Sequence, residues 1–129
     1  MLLVRAGKAL EIAQVDGVRV RDWRRHGFLN GVGVLVDGRW HYAFRDIVVL
    51  RLSGMLGGLG IGPTSAVALA RKVAATDLTR AWLMIGSEGA VHYFDDFDGL
   101  IAERQKRRYL VAVHVPLGEV VKDVRDSIE

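Results

Sequence analysis

Four arginines, Arg19, Arg21, Arg24 and Arg25, crowd into the stretch "VRVRDWRRH". If that stretch is helical, Arg21, Arg24 and Arg25 stand at i, i+3 and i+4 and share a face. Guanidinium groups are permanently charged planar donors, so a face of them suits a polyanion better than bond-breaking chemistry. A second knot, "GRWHYAFRDIVVLRL" at 38–52, interleaves Arg39, His41 and Arg45 with Trp40, Tyr42 and Phe44, then runs straight into an apolar stretch. Active sites are rarely written this way. A surface that holds a polyanion beside a packed helix is.

The charge balance agrees. Residues 1–51 carry nine Lys/Arg against five acids, whereas residues 52–129 carry nine against ten. The whole chain has a formal net charge of +3, and its basic surplus belongs to the first half. That asymmetry points to an anionic partner there.

Other residues with chemical potential have plainer explanations. His26, His41, His92 and His114 are scattered, with no i, i+4 pair and no carboxylate at ligand spacing, so no metal is expected. Asp95, Asp96 and Asp98 precede a helix, where capping accounts for them. Gly57, Gly58, Gly60 and Gly62 follow a helix rather than a strand, without dinucleotide-loop spacing and without a following Gly-Lys-Ser/Thr. They read as a helix–helix connection. The basic run "RQKRR" at 104–108 reads as the exposed end of a helix. No nucleophile elbow and no Ser/His/Asp arrangement can be placed, so neither an enzyme nor a cofactor is expected.

The chain has no cysteine, which excludes disulfides, thiolate metal sites and cysteine redox sensing, and fits a reducing compartment. No stretch reaches the roughly eighteen uncharged apolar residues of a membrane span. The N-terminal "MLLVRAGKALEIAQ" becomes charged too quickly for a signal peptide, so a cytoplasmic location is expected.

With 129 residues, half of them hydrophobic, the chain can bury a real core in one domain, or in a small domain with an appendage. "KALEIAQV" at 8–15 has the spacing of a short amphipathic helix, broken by Asp16-Gly17. Residues 18–26 form a second short helix ended by Gly27, with Val20 and Trp23 pointing inward. Two short helices joined by a tight turn outline a helix-turn-helix. Residues 32–42 read as a hairpin turning at Asp37-Gly38, which pairs Val36 with Arg39, Leu35 with Trp40 and Val34 with His41. One face is then apolar and aromatic; the other carries Arg39 and His41. Residues 44–57 have the apolar stripe of a helix, and Pro63 suits the first position of another, ending near residue 75. Beyond a boundary at 76–79 the pattern changes to a ββαβα order. "RAWLMIG" and "AVHYF" form a hairpin around "SEG", "DDFDGLIAERQKRR" is a helix, "YLVAVHV" is a strand, and "PLGEVVKDVRDSIE" is an amphipathic helix. The fold class expected is α+β.

"ALEIAQVDGV", "RDWRRHGFL" and the hairpin leading into "HYAFRDIVVLRLSGMLGGLGI" together resemble the N-terminal DNA-binding domain of MerR-like regulators. The resemblance covers about residues 8–75. It implies a winged helix-turn-helix domain over residues 1–76, with residues 79–129 as a small αβ unit for dimerisation or partner binding. It places Arg19, Arg21, Arg24 and Arg25 on the helix that enters the major groove. It puts Arg39, His41 and Tyr42 on a wing against the backbone or minor groove, and Arg45 against a phosphate. Trp40 and Phe44 then anchor the wing. The long dimerisation helix of that family and its metal or redox cysteines have no counterpart here, so no metal or redox sensing is implied.

The expected partner is double-stranded DNA, bound by a homodimer that joins through the C-terminal unit, whose β-prone "YLVAVHV" could supply an open edge. The expected function is sequence-specific transcription regulation, as a repressor or autoregulator. Alternatives are an antitoxin that binds both its operator and a toxin, a phage-type excisionase or architectural DNA binder, and an adaptor that binds no DNA.

Overall fold

The computed structural model describes residues 2–76, 80–86, 90–109 and 111–128. Its mixed α+β architecture divides into two units, one of Met1–Thr76 with Val124–Glu129 and one of Asp77–Asp123. In the chain, the units meet after Thr76, and the last residues, Val124–Glu129, group with the first unit.

In the first unit, β1 (Val4–Arg5) leads directly into α1 (Ala6–Ala13), and α2 spans Gly17–Arg25. Gln14 takes a left-handed conformation and stops α1. Asp16 does more than break the chain: its carboxylate accepts from the Val18 amide at 2.8 Å and caps α2, which therefore starts at Gly17. Val20 and Trp23 are buried, as their spacing required. The hairpin β2 (Val34–Val36) and β3 (Arg39–Tyr42) has the register read from the sequence, with Val34 opposite His41, Leu35 opposite Trp40 and Val36 opposite Arg39. Asp37 and Gly38 both have positive φ (52° and 75°), the condition for a type I′ turn.

The short strand β1 was not foreseen. It pairs antiparallel with β3, Val4 opposite Tyr42 and Arg5 opposite His41, so the hairpin becomes a three-stranded sheet in the order β1-β3-β2.

Helix α3 (Phe44–Gly58) is the apolar spine of this unit, with Ile47, Val48, Leu50, Leu52 and Leu56 at 0–1% exposure. Its start is fixed by Asp46, whose carboxylate accepts from the Ala43 amide at 3.0 Å. Ser53, buried on the same helix, donates to the Val49 carbonyl at 2.7 Å and so leaves no unsatisfied hydroxyl. Arg51 donates to the Ile12 carbonyl at 2.8 Å and ties α3 to the end of α1. Helix α4 (Pro63–Ala74) begins at Pro63, where a missing N–H costs nothing, and packs on α3 through Ala66, Val67, Ala70 and Val73.

The second unit follows the ββαβα order. β4 (Trp82–Gly86) is the central strand, flanked by β5 (Val91–Phe94) and β6 (Ala112–Pro116), both antiparallel to it. The "SEG" turn at 87–89 lies outside the described residues. Helix α5 (Phe97–Arg107) is capped by Asp96, which accepts from the Gly99 amide at 2.9 Å. Leu100 packs with Met84 and Tyr109, and Trp82, Phe94, Ile101 and Ala112 surround that cluster. The strand expected to start at Tyr109 instead starts at Ala112. Tyr109 serves as core, because its ring lies across β4. Pro116 ends β6 rather than opening the final helix α6 (Leu117–Ile128).

His114 on β6 has Nε2 3.5 Å from the Arg104 guanidinium. Burial, reinforced by that cation, holds its imidazole below the usual range. A depressed folded-state pKa means that the unfolded chain takes up the proton first. The stability His114 supplies is therefore complete above about pH 6.5 and is lost as the pH falls through that value towards the lower folded-state pKa. A His114→Gln variant should show a smaller drop in thermal midpoint between pH 7 and pH 5.5 than the parent chain. Equal drops would show that His114 titrates alike in both states.

Among the described residues, no helix is long and apolar enough to cross a membrane. Nor does any group of three or more His, Asp or Glu side chains among them stand ready to hold a metal ion.

Candidate nucleic-acid interface

The inward positions of α2 decide its outward ones. With Val20 and Trp23 buried, Val18, Arg21, Asp22 and Arg25 form an exposed stripe at i, i+3, i+4 and i+7. With Asp16 and Arg19 they border a shallow, open depression. Val18 is 62% exposed, unusual for a valine at the start of a capped helix. Asp22 bonds to the Arg25 guanidinium, and the His26 Nδ1 lies 3.7 Å from the same carboxylate. Arg19 is exposed, with its guanidinium 6.0 Å from the Trp23 ring centroid. The stripe thus offers one apolar side chain, one acid and several cations on a rigid helix.

Arg24 is not part of that stripe. The expectation that Arg21, Arg24 and Arg25 share a solvent face holds only for Arg21 and Arg25. The Arg24 guanidinium turns to the hairpin and lies 3.4 Å from the centroid of the Trp40 ring. It donates to the Val32 carbonyl at 2.9 Å, the Tyr42 hydroxyl at 3.0 Å and the Leu29 carbonyl at 3.4 Å. These contacts turn three of its five N–H donors inward. The helical spacing was read correctly; what the sequence could not display was that the hairpin folds back over one edge of α2.

Tyr42 is only 1% exposed, so its ring belongs to the core and its hydroxyl to Arg24. A wing contact from Tyr42 to DNA does not fit that burial. Trp40 is half-buried and carries the Arg24 cation on its face, which makes it an anchor of the hairpin. Arg39 is exposed, and His41 is half-buried with Nδ1 3.1 Å from the Arg39 carbonyl. Arg45 is exposed in the first turn of α3.

Of the eight residues named from the sequence, Arg19, Arg21 and Arg25 lie together on α2. Arg39 and His41 lie together on the sheet, Arg45 stands at the start of α3, and Arg24 and Tyr42 form the internal joint between α2 and the sheet. Two residues escaped the sequence reading. Val18 was passed over because it is apolar. Arg5 was missed because a two-residue strand leaves no period to detect.

No protein-family model matches this chain, and no curated protein is detectably similar to it.

Proposed function

We propose that the chain is a sequence-specific DNA-binding transcription regulator of the winged helix-turn-helix kind, acting as a cytoplasmic dimeric repressor or autoregulator. The observation that carries this reading is the α2 stripe. Val18, Arg21, Asp22 and Arg25 face outward on a helix held from behind by Val20, Trp23 and Arg24. The order of the elements supports it as well: two short helices, a basic hairpin, then a long apolar helix.

B-DNA's major groove is about 12 Å wide and admits one α-helix. In this reading α2 lies in that groove. Arg21 reads guanine through its fork, and Val18 meets a thymine methyl group. Arg25, steadied by Asp22, and Arg19 take phosphates, which position the helix without reading sequence. Arg39 and His41 follow the flanking backbone, and Arg45 adds a phosphate contact. Strand β6, at the edge of the second sheet, is the surface through which two copies join.

The test is fluorescence anisotropy with the purified chain, using a duplex from upstream of its own gene and a scrambled duplex at several salt concentrations. Tighter binding to the upstream duplex, weakening steeply with salt, is expected. Arg21→Ala should cost about 5- to 150-fold on the upstream duplex, the range for one lost bidentate base contact, and much less on the scrambled one. Equal binding to both would point to an architectural DNA binder. Absence of binding to either would turn the search to protein partners.

A further inference from the structure

We propose that Arg125, in the last turn of α6, is a positioning residue for Arg45: it holds the start of α3 and so sets where the Arg45 guanidinium meets a DNA phosphate. The inference rests on the DNA-binding reading above and adds to it a residue from the final helix of the chain.

Helix α6 is continuous from Leu117 to Ile128, yet its residues belong to different units. Those up to Asp123 group with the second unit, and those from Val124 onward group with the first. Val124 is fully buried, and next to it the Arg125 guanidinium lies 5.1 Å from the centroid of the Phe44 ring. That is within the roughly 6 Å over which a ring face attracts a cation. Phe44 is the first residue of α3, and Arg45 follows it. Arg125 and Phe44 both belong to the first unit.

The start of α3 needs holding. The first amides of a helix have no partner within it, and a side-chain oxygen on the preceding residue usually supplies one. Here that residue is Ala43, whose side chain makes no such bond. Asp46 accepts from the Ala43 amide, which is one half of a capping box; the other half needs a hydroxyl at position 43. The first turn is closed by the Ile47 amide, which donates to the Ala43 carbonyl at 3.1 Å. Helix ends fray, and a frayed first turn would leave the exposed Arg45 without a fixed origin. The helix dipole does not draw Arg125 to this place, because it favours anions at a helix start. The Phe44 ring does, and Arg125 in return clamps the turn that carries Arg45.

Binding to the upstream duplex is measured against salt for the parent chain, Arg45→Gln, Arg125→Met and the double variant. Protection of the Ile47 amide from hydrogen exchange is measured on the same proteins, and circular dichroism confirms that each folds. Arg45→Gln should reduce the slope of log affinity against log salt by about 0.9, the value of one phosphate contact, or about eightfold in affinity at 0.1 M salt relative to 1 M. Arg125→Met should reduce the slope part of the way, with faster exchange at Ile47, and the double variant should lose no more than Arg45→Gln alone. Arg125→Lys should restore both readouts. Phe44→Leu, which stays apolar and removes the ring face, should reproduce Arg125→Met.

Additive losses in the double variant would overturn the inference, because Arg125 would then contact a phosphate itself. An unchanged slope in Arg125→Met, with parent binding intact, would also overturn it and leave the α2 reading standing, since Arg125 would then serve the fold alone. If the parent chain binds no duplex at any salt concentration, the DNA-binding reading fails and takes this inference with it.

Discussion

Replacing Arg24 with methionine is expected to lower the thermal midpoint of the first unit by about 10–20 °C. Methionine keeps much of the stem's volume and removes every donor. The Val32 and Leu29 carbonyls and the Tyr42 hydroxyl then lose a charged partner in a part-buried site. Hydrogen bonds to charged groups contribute about 1.5–3 kcal/mol each, and a lost cation–π contact adds about 0.5–2 kcal/mol. These terms overlap, so the expected cost is about 2–4 kcal/mol, against typical domain stabilities of about 5–15 kcal/mol. For a unit of this size each kcal/mol moves the midpoint by about 4–8 °C. Arg24→Lys should recover less than half of the loss, because an ammonium cannot serve three acceptors while lying flat on the Trp40 ring. Thermal unfolding followed by circular dichroism measures this directly. A double-mutant cycle with Tyr42→Phe should show coupling between the two sites. A shift under about 2 °C for Arg24→Met would mean that water replaces the fork and that Arg24 is free to serve elsewhere. Under the proposed DNA-binding function, loss of Arg24 should also weaken binding, because α2 would no longer be braced against the hairpin.

A side chain at Gly86 is expected to damage the second unit more than any surface change would. A Cβ built on Gly86 lies 2.6 Å from Cε2 and 2.8 Å from the hydroxyl oxygen of Tyr109. Real carbon atoms do not approach so closely, and the obstacle is a rigid ring rather than a flexible tip. That ring is itself fixed, packed with Met84 and Leu100 while its hydroxyl lies 3.2 Å from His92 Nε2. Gly86 also sits on the central strand, paired with Ala112 on β6, so the backbone has little room to yield. Overpacking costs typically about 1–3 kcal/mol, and this geometry places Gly86→Ala at the upper end, with Gly86→Val beyond it. Amide hydrogen exchange should show protection falling across β4, β5 and β6. Removing the ring as well, in Gly86→Ala/Tyr109→Ala, should cost less than the sum of the two single changes. Strict additivity would mean that the ring moves aside without resistance.

Much of the fold was legible in the sequence because its signals are local. The Asp37-Gly38 turn set the hairpin register, since a two-residue type I′ loop leaves no freedom in pairing. Pro63 marked the start of α4. The apolar stripe from Phe44 marked α3, and the β-like runs after residue 80 gave the ββαβα order. What the sequence hid were contacts between residues far apart. Arg24 looked like its neighbours Arg21 and Arg25, and only the position of Trp40 and Tyr42 over it shows that it faces inward. Tyr42 looked like a wing residue, yet its pairing with Val4 puts it in the core. Asp16 read as a breaker and serves as a cap. The candidate site was therefore half legible: the basic residues of α2 and β3 could be named, but their division into an outward stripe and an internal joint could not.

Strand β1 has a consequence for the conformational entropy of folding. Its partners are distant, Val4 with Tyr42 and Arg5 with His41. The hairpin needs only its own turn, and hairpins close in about 1–10 μs. Pairing of β1 with β3 closes a much longer loop than the hairpin turn does, and so costs more conformational entropy. The three-stranded sheet therefore draws on residues far apart in the chain, whereas α2 is built from the contiguous residues Gly17–Arg25.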